Sequence, residues 1–223
     1  MKRWLLIGGI IAVLGVVGGP FLYFQLVAED APSALTIGTG SGTPTVGAPD
    51  TLDGTWTATN DSVAGYRVKE ILFGQSKEAA GRTKKVTGSF TLNGTTVSAA
   101  TFTVDMASIE SDQDRRDNQF RGRIMDVDTY PTSTFNLTQP IELGTIPDDG
   151  VEGTAKATGE LTIRGTTKTV TFDLTGRRDG GTIRISGSML IVFEEWNIPN
   201  PSGGPARTSD EGTLEFLLVF TKP

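Results

Sequence analysis

The stretch 159-GELTIRGTTKTVTFDLT-175 decides the fold. Leu161 and Ile163 alternate with Glu160, Thr162 and Arg164, and beyond the turn Val170, Phe172 and Leu174 alternate with Thr169, Thr171, Asp173 and Thr175. Apolar residues at a period of two share one face of a strand and leave the other to water. Arg164-Gly165-Thr166-Thr167 lies between the runs, with a glycine where a tight hairpin demands positive φ. Two such strands, so closely joined, are antiparallel neighbours.

The scheme recurs along the chain. Phe102, Val104 and Met106 share a face in 101-TFTVDM-106, as do Phe135 and Leu137 in 133-STFNLT-138. Phe90 and Leu92 in 87-TGSFTLN-93 and Ile183 and Ile185 in 182-TIRIS-186 repeat it, and 212-GTLEFLLVF-220 forms a last strand. Asn93-Gly94 and Asp179-Gly180 mark further turns. With 28 glycines and 11 prolines in 223 residues, the composition favours strands and turns over helices. Residues 51–223 therefore read as an all-β domain of about eight antiparallel strands, an up-and-down barrel or sandwich. The long exception is 107–130, with a helical turn expected around Arg115–Arg121. An eight-stranded barrel is either filled by its own side chains or holds one slender ligand. The inward positions show no charge, and pattern alone leaves both states open.

Residues 4–28, WLLIGGIIAVLGVVGGPFLYFQLVA, carry no charge and follow Lys2 and Arg3. A spanning helix needs roughly 20 apolar residues, a signal-peptide core only about 7–15. Cleavage after Ala28 would put Leu26 where a small residue is needed. Residues 1–28 are therefore expected to be an uncleaved signal anchor, one transmembrane helix, with secretion after cleavage as the alternative. Lys2 and Arg3 against Glu29 and Asp30 set the N-terminus inside the cell and the C-terminal domain outside it, in a single-pass cell-membrane arrangement. Residues 29–50 are rich in Gly, Ser, Thr and Pro and read as a flexible extracytoplasmic linker.

Several function classes fall away. A net charge of −6 gives no cationic face for phosphates, so no nucleic-acid partner is expected. The chain has no cysteine and no histidine, which removes thiolate nucleophiles, thiolate zinc sites and Ser-His-Asp triads. Asp112, Asp114, Arg115, Arg116 and Asp117 form a charge-crowded loop for which mutual ion pairing is a simpler account than metal binding or catalysis. Glu194 and Glu195 would point to opposite faces of a strand, and Lys168 reads as a solvated turn residue.

Four segments in order carry a family resemblance: 86-VTGSFTLNG-94, 102-FTVDMASIESDQDRRDNQFRG-122, 126-DVDTYPTSTFNLT-138 and 157-ATGELTIRGTTKTVTF-172. Over most of residues 54–220 the chain resembles the YceI-like, polyisoprenoid-binding family. The resemblance implies a lipocalin-like antiparallel barrel whose cavity holds a long isoprenoid chain, without catalysis or cofactor. It implies that Arg116, Asp117, Phe120 and Asp128 form the lip and brace of the barrel. The segment 63-VAGYRVKEILFGQSKEAAGR-82 departs from the family's early strand in being longer and more polar.

The expected function is a membrane-anchored extracytoplasmic carrier or reservoir for an isoprenoid lipid, whether polyprenyl chain, quinone or prenyl phosphate. The expected wall is Phe90, Phe102, Val104, Met106, Phe120, Phe135, Leu137, Phe172, Leu174 and Met189. The rival reading is a barrel with a filled core serving as an extracellular interaction or stress-related structural module. Expected partners are the isoprenoid lipid or quinone and the membrane; a homodimer is left open. The turn formers of 197-NIPNPSGGPAR-207 suggest a mobile loop.

Overall fold

The computed structural model of the chain describes residues 31–39, 51–72, 74–203 and 206–222. The expected membrane helix at 1–28 lies outside them. Among the described residues no helix is long and apolar enough to cross a membrane.

Eight antiparallel strands close a barrel: β1 (Gly54–Ala58), β4 (Val86–Asn93), β5 (Thr96–Asp105), β6 (Thr132–Leu137), β8 (Glu152–Ile163), β9 (Thr166–Asp179), β10 (Thr182–Val192) and β11 (Ala206–Thr221). Closure comes from β1, which pairs with both β4 and the end of β11 through Thr57↔Thr221 and Ala58↔Phe220. Beyond Phe220 the same edge of β11 pairs with β2 (Val63–Leu72), which carries β3 (Gln75–Thr83) on its outer side. The two-residue β7 (Ile141–Glu142) adds to β5. The sheet thus has eleven strands where the sequence suggested about eight, and the surplus is largely the polar 63–82 segment. That segment is a hairpin which extends the wall above the ring.

The hairpin 159–175 forms as its alternation requires. β8 and β9 pair in register from Glu152↔Arg177 to Ile163↔Thr166. Arg164 and Gly165 both have positive φ, 48° and 72°, the conformation of the two-residue turn that matches strand twist. At what we call the upper end lie this turn, the β10–β11 loop and the long segment after β5. That segment holds a short helix α1 (Asp114–Gln119), continued by a wider turn over Phe120–Ile124, as expected around 115–121. At the lower end lie the β4–β5 turn, the loop before β8 and the β9–β10 turn.

Two apolar clusters stop the ends. Trp56, Phe90, Leu92, Leu218 and Phe220 pack at the lower end. Met106, Ile109, Phe120, Ile124 and Trp196 pack at the upper end beneath α1 and its continuation.

Part of the expected flexible linker is built into the fold. Residues 31–39 lie on the outside of the barrel, where Ile37 is 2% exposed and its short 3-10 turn packs on β9 and β10. Backbone hydrogen bonds to the Arg67, Arg82 and Glu215 side chains supply what a Gly/Ser/Thr segment cannot gain from apolar burial. Residues 40–50 lie outside the described residues. The 197–207 loop is tied up to Ser202: Arg123 donates to the carbonyls of Asn200 and Pro201 at 3.1 and 3.2 Å, and Asn200 Nδ2 donates to Asp210 Oδ1 at 2.8 Å.

Candidate ligand cavity

Between the two clusters the barrel is hollow. The cavity measures about 1080 Å³, large for a small-molecule site, and all ten expected wall residues line it. Their burial explains how the space arises. Phe90, Met106 and Phe120 belong to the end clusters and are buried. Phe102, Val104, Phe135, Leu137, Phe172, Leu174 and Met189 point inward yet stay only half-buried. An inward side chain in a close-packed interior has neighbours on every side; these have an open lumen on one. The rival expectation of a filled core is therefore corrected.

Small residues on the inner face keep the lumen open. A Cβ at Gly159 would come within 2.5 Å of the Phe135 ring, and one at Gly187 within 2.6 Å of the Phe216 ring. Each ring reaches into the space that a side chain at the glycine would fill. Phe135, Phe172 and Phe216 then meet edge to face, with centroids 5.3 and 5.9 Å apart, an arrangement aromatic quadrupoles favour. Phe216, Leu161 and Ile163 line the cavity as well; their alternation was visible in the sequence.

The expectation of no inward charge is corrected at both ends. At the upper end Glu70 on β2 faces Arg116 on α1 at 3.2 Å, and Arg116 also pairs with Asp112. All three line the cavity. Asp117 is buried, but it braces the loop by accepting from Ser111 N and Oγ at 2.9 and 2.6 Å, not from an arginine. Asp128 is exposed and braces nothing among the described residues. Tyr66 stacks on Phe120 with centroids 5.1 Å apart. Burial pushes its phenol well above the ordinary tyrosine range, against the opposing pull of Arg116. At the lower end Arg178 shares the inner face with Ile183 and pairs with Asp149 at 2.8 Å. Period-two patterning missed these groups because each is compensated by a partner far off in sequence or on a loop.

Two smaller expectations change. Glu194 and Glu195 lie in a 3-10 turn (Phe193–Trp196), not a strand. Lys168 lies within β9, pairs with Glu195 at 2.9 Å and sits 5.5 Å from the centre of the Trp196 ring. Among the described residues no group of three or more acidic side chains converges as a metal site would require.

A closed eight-stranded barrel, helix-plugged above and hollow through an apolar middle, has clear relatives. The sequence matches the YceI-like domain family over residues 56–220. The chain belongs to that family. A comparison with curated proteins gives no match. Among solved structures the YceI-like barrel is similar to a polyisoprenoid binding domain from Saccharophagus degradans implicated in plant cell wall breakdown. That likeness has 15% identity, a TM-score of 0.62 and coverage of 77% of this chain and 99% of the other. It is also similar to Burkholderia cenocepacia BcnA, at 25% identity, a TM-score of 0.54 and coverage of 70% and 95%. The Campylobacter jejuni YCEI protein matches at 17% identity and a TM-score of 0.50, covering 64% of this chain and 84% of that one. The first and third likenesses concern the fold alone.

Proposed function

We propose that this YceI-like domain binds an isoprenoid lipid in its barrel and presents it outside the cell, tethered to the membrane by residues 1–28. The observation that carries the reading is the hollow, about 1080 Å³ in volume, walled by half-exposed phenylalanines and leucines. Water in such a space gives up the apolar contact that a hydrocarbon provides. Each Å² of apolar surface covered contributes roughly 25 cal/mol, so a branched chain binds through many small contacts. The site is diffuse, and Phe90, Phe102, Val104, Met106, Phe120, Phe135, Leu137, Phe172, Leu174 and Met189 are its proposed ligand contacts. The name of the Saccharophagus degradans domain, a polyisoprenoid binding domain, supports the same ligand class. The family is one of binding proteins, in keeping with a non-enzymatic role. The uncharged run at 4–28 supports the anchor.

The test is lipid extraction and native mass spectrometry of the full chain purified from its own membranes. One co-purifying isoprenoid per barrel is the expected result. Consistently empty protein that also fails to take up added polyprenol overturns the reading.

A further inference from the structure

The outer wall of β2, β3 and β11 carries an ion cluster built around one buried carboxylate. Glu215, 2% exposed, accepts from Arg82 at 2.8 Å and lies 3.5 Å from Arg67, which also pairs with Glu78 at 3.0 Å. The segment at residues 32–35 closes over it. Arg67 donates to the carbonyl of Pro32 at 2.5 Å, Arg82 donates to that of Ser33, and the Leu35 N–H donates to Glu215 at 3.3 Å. A charged box that holds backbone groups fixes where the chain leaves the barrel. This clamp shortens the tether. A free 22-residue linker would reach about 26 Å by random-coil scaling. From Ala28, the last residue of the apolar run, to Pro32 the chain spans at most about 14 Å.

That reach restricts how the barrel sits on a membrane. Arg67 is opposite Thr213 on β11, and the lower end lies eight residues further, at Thr221. At ~3.3 Å per residue and a strand tilt of ~40° this is about 20 Å of height. With the lower end on the bilayer, the clamp stands beyond the tether's reach. In the other direction Ile71 is four residues above Arg67 on β2, about 10 Å of height by the same measure, which the tether covers. The outer surface there suits the task. Ile71 is 49% exposed and pairs across the sheet with exposed Arg207, with exposed Lys69 two residues below. Cations around an exposed apolar side chain fit an anionic lipid surface.

We propose that the barrel is clamped with its upper end against the bilayer, and that Ile71, Lys69 and Arg207 contact the lipid. The upper rim, where Glu70, Asp112 and Arg116 line the cavity, then faces the membrane from which a lipid would come. The proposal rests on the reading of residues 4–28 as a membrane span.

The cysteine-free sequence permits a direct test with single labels. The full chain is reconstituted in vesicles containing anionic lipid and lipid bearing headgroup nitroxides. A fluorophore is attached at Ser76→Cys, beside the upper tip, or at Asp148→Cys, in the lower loops. Quenching several-fold stronger at position 76 is expected, falling at least two-fold when Lys69→Glu and Arg207→Glu are combined. Equal quenching at the two positions, or no response to the charge reversals, overturns the orientation. Protein that washes off the vesicles refutes the anchor, and this inference with it; protein retained with equal quenching refutes the inference alone.

Discussion

Lengthening the ligand one isoprene unit at a time gives the most discriminating test of the hollow barrel. The cavity of about 1080 Å³ is about 36 times the ~30 Å³ that a water, or a methylene of similar size, occupies in a liquid. A five-carbon unit fills five such spaces, so the barrel accommodates about seven units. Each buried methylene contributes up to ~0.8 kcal/mol on leaving water. Prenols of two to twelve units, delivered from a soluble cyclodextrin complex, would compete with a fluorescent lipid for the purified protein. Affinity is expected to rise with length to about seven units and then flatten, because further units have no wall to cover. The position of the break, not the slope, carries the argument, since the delivery complex offsets part of each increment. A linear rise through twelve units, or no dependence on length, would mean that the chain lies on the outside.

Three further outcomes follow from the wall and the upper end. Replacing Phe135→Trp and Phe172→Trp together thickens the wall where their rings meet at 5.3 Å; lipid loading is expected to fall at least ten-fold with circular dichroism unchanged, and full stoichiometry would remove these residues from the wall. Gly159→Ala sets a Cβ within 2.5 Å of the Phe135 ring and 2.4 Å of the Asn136 carbonyl, a clash expected to cost about 1–3 kcal/mol in urea unfolding and to reduce loading; a neutral effect on both would show that the ring's close approach to the glycine is unimportant. Tyr66 has a folded-state pKa raised by burial, so its contribution is complete below the unfolded tyrosine value of about 10 and is lost as pH rises beyond it. Melting temperatures taken between pH 8.5 and 11 should therefore drop more steeply for the native chain than for Tyr66→Phe; parallel curves would contradict the burial argument.

The barrel was legible because closure depends on local alternation. The registers Phe102↔Phe135, Phe135↔Leu161 and Ala157↔Phe172 follow from which side of each strand is apolar, and the turn at Arg164-Gly165 from its positive φ. The charged groups at the cavity ends were not legible. Glu70 finds Arg116 forty-six residues away, and Arg178 finds Asp149 on a loop, so nothing in the local spacing announces either pair. Residues 31–39 were likewise misread as free. Their composition is that of a linker, and the Arg67, Arg82 and Glu215 side chains that hold their backbone are gathered from three strands.

The sequence by itself determined the class of fold, the order of the wall strands and the greasy character of their inner face, because a period of two commits each side chain to one side of a sheet. Whether that face met itself or left a void depended on long-range geometry: the tilt and number of strands, glycines 159 and 187 beneath their rings, and a helical plug set over one end. Volume is a property of the closed surface, and no segment of the chain encodes it alone.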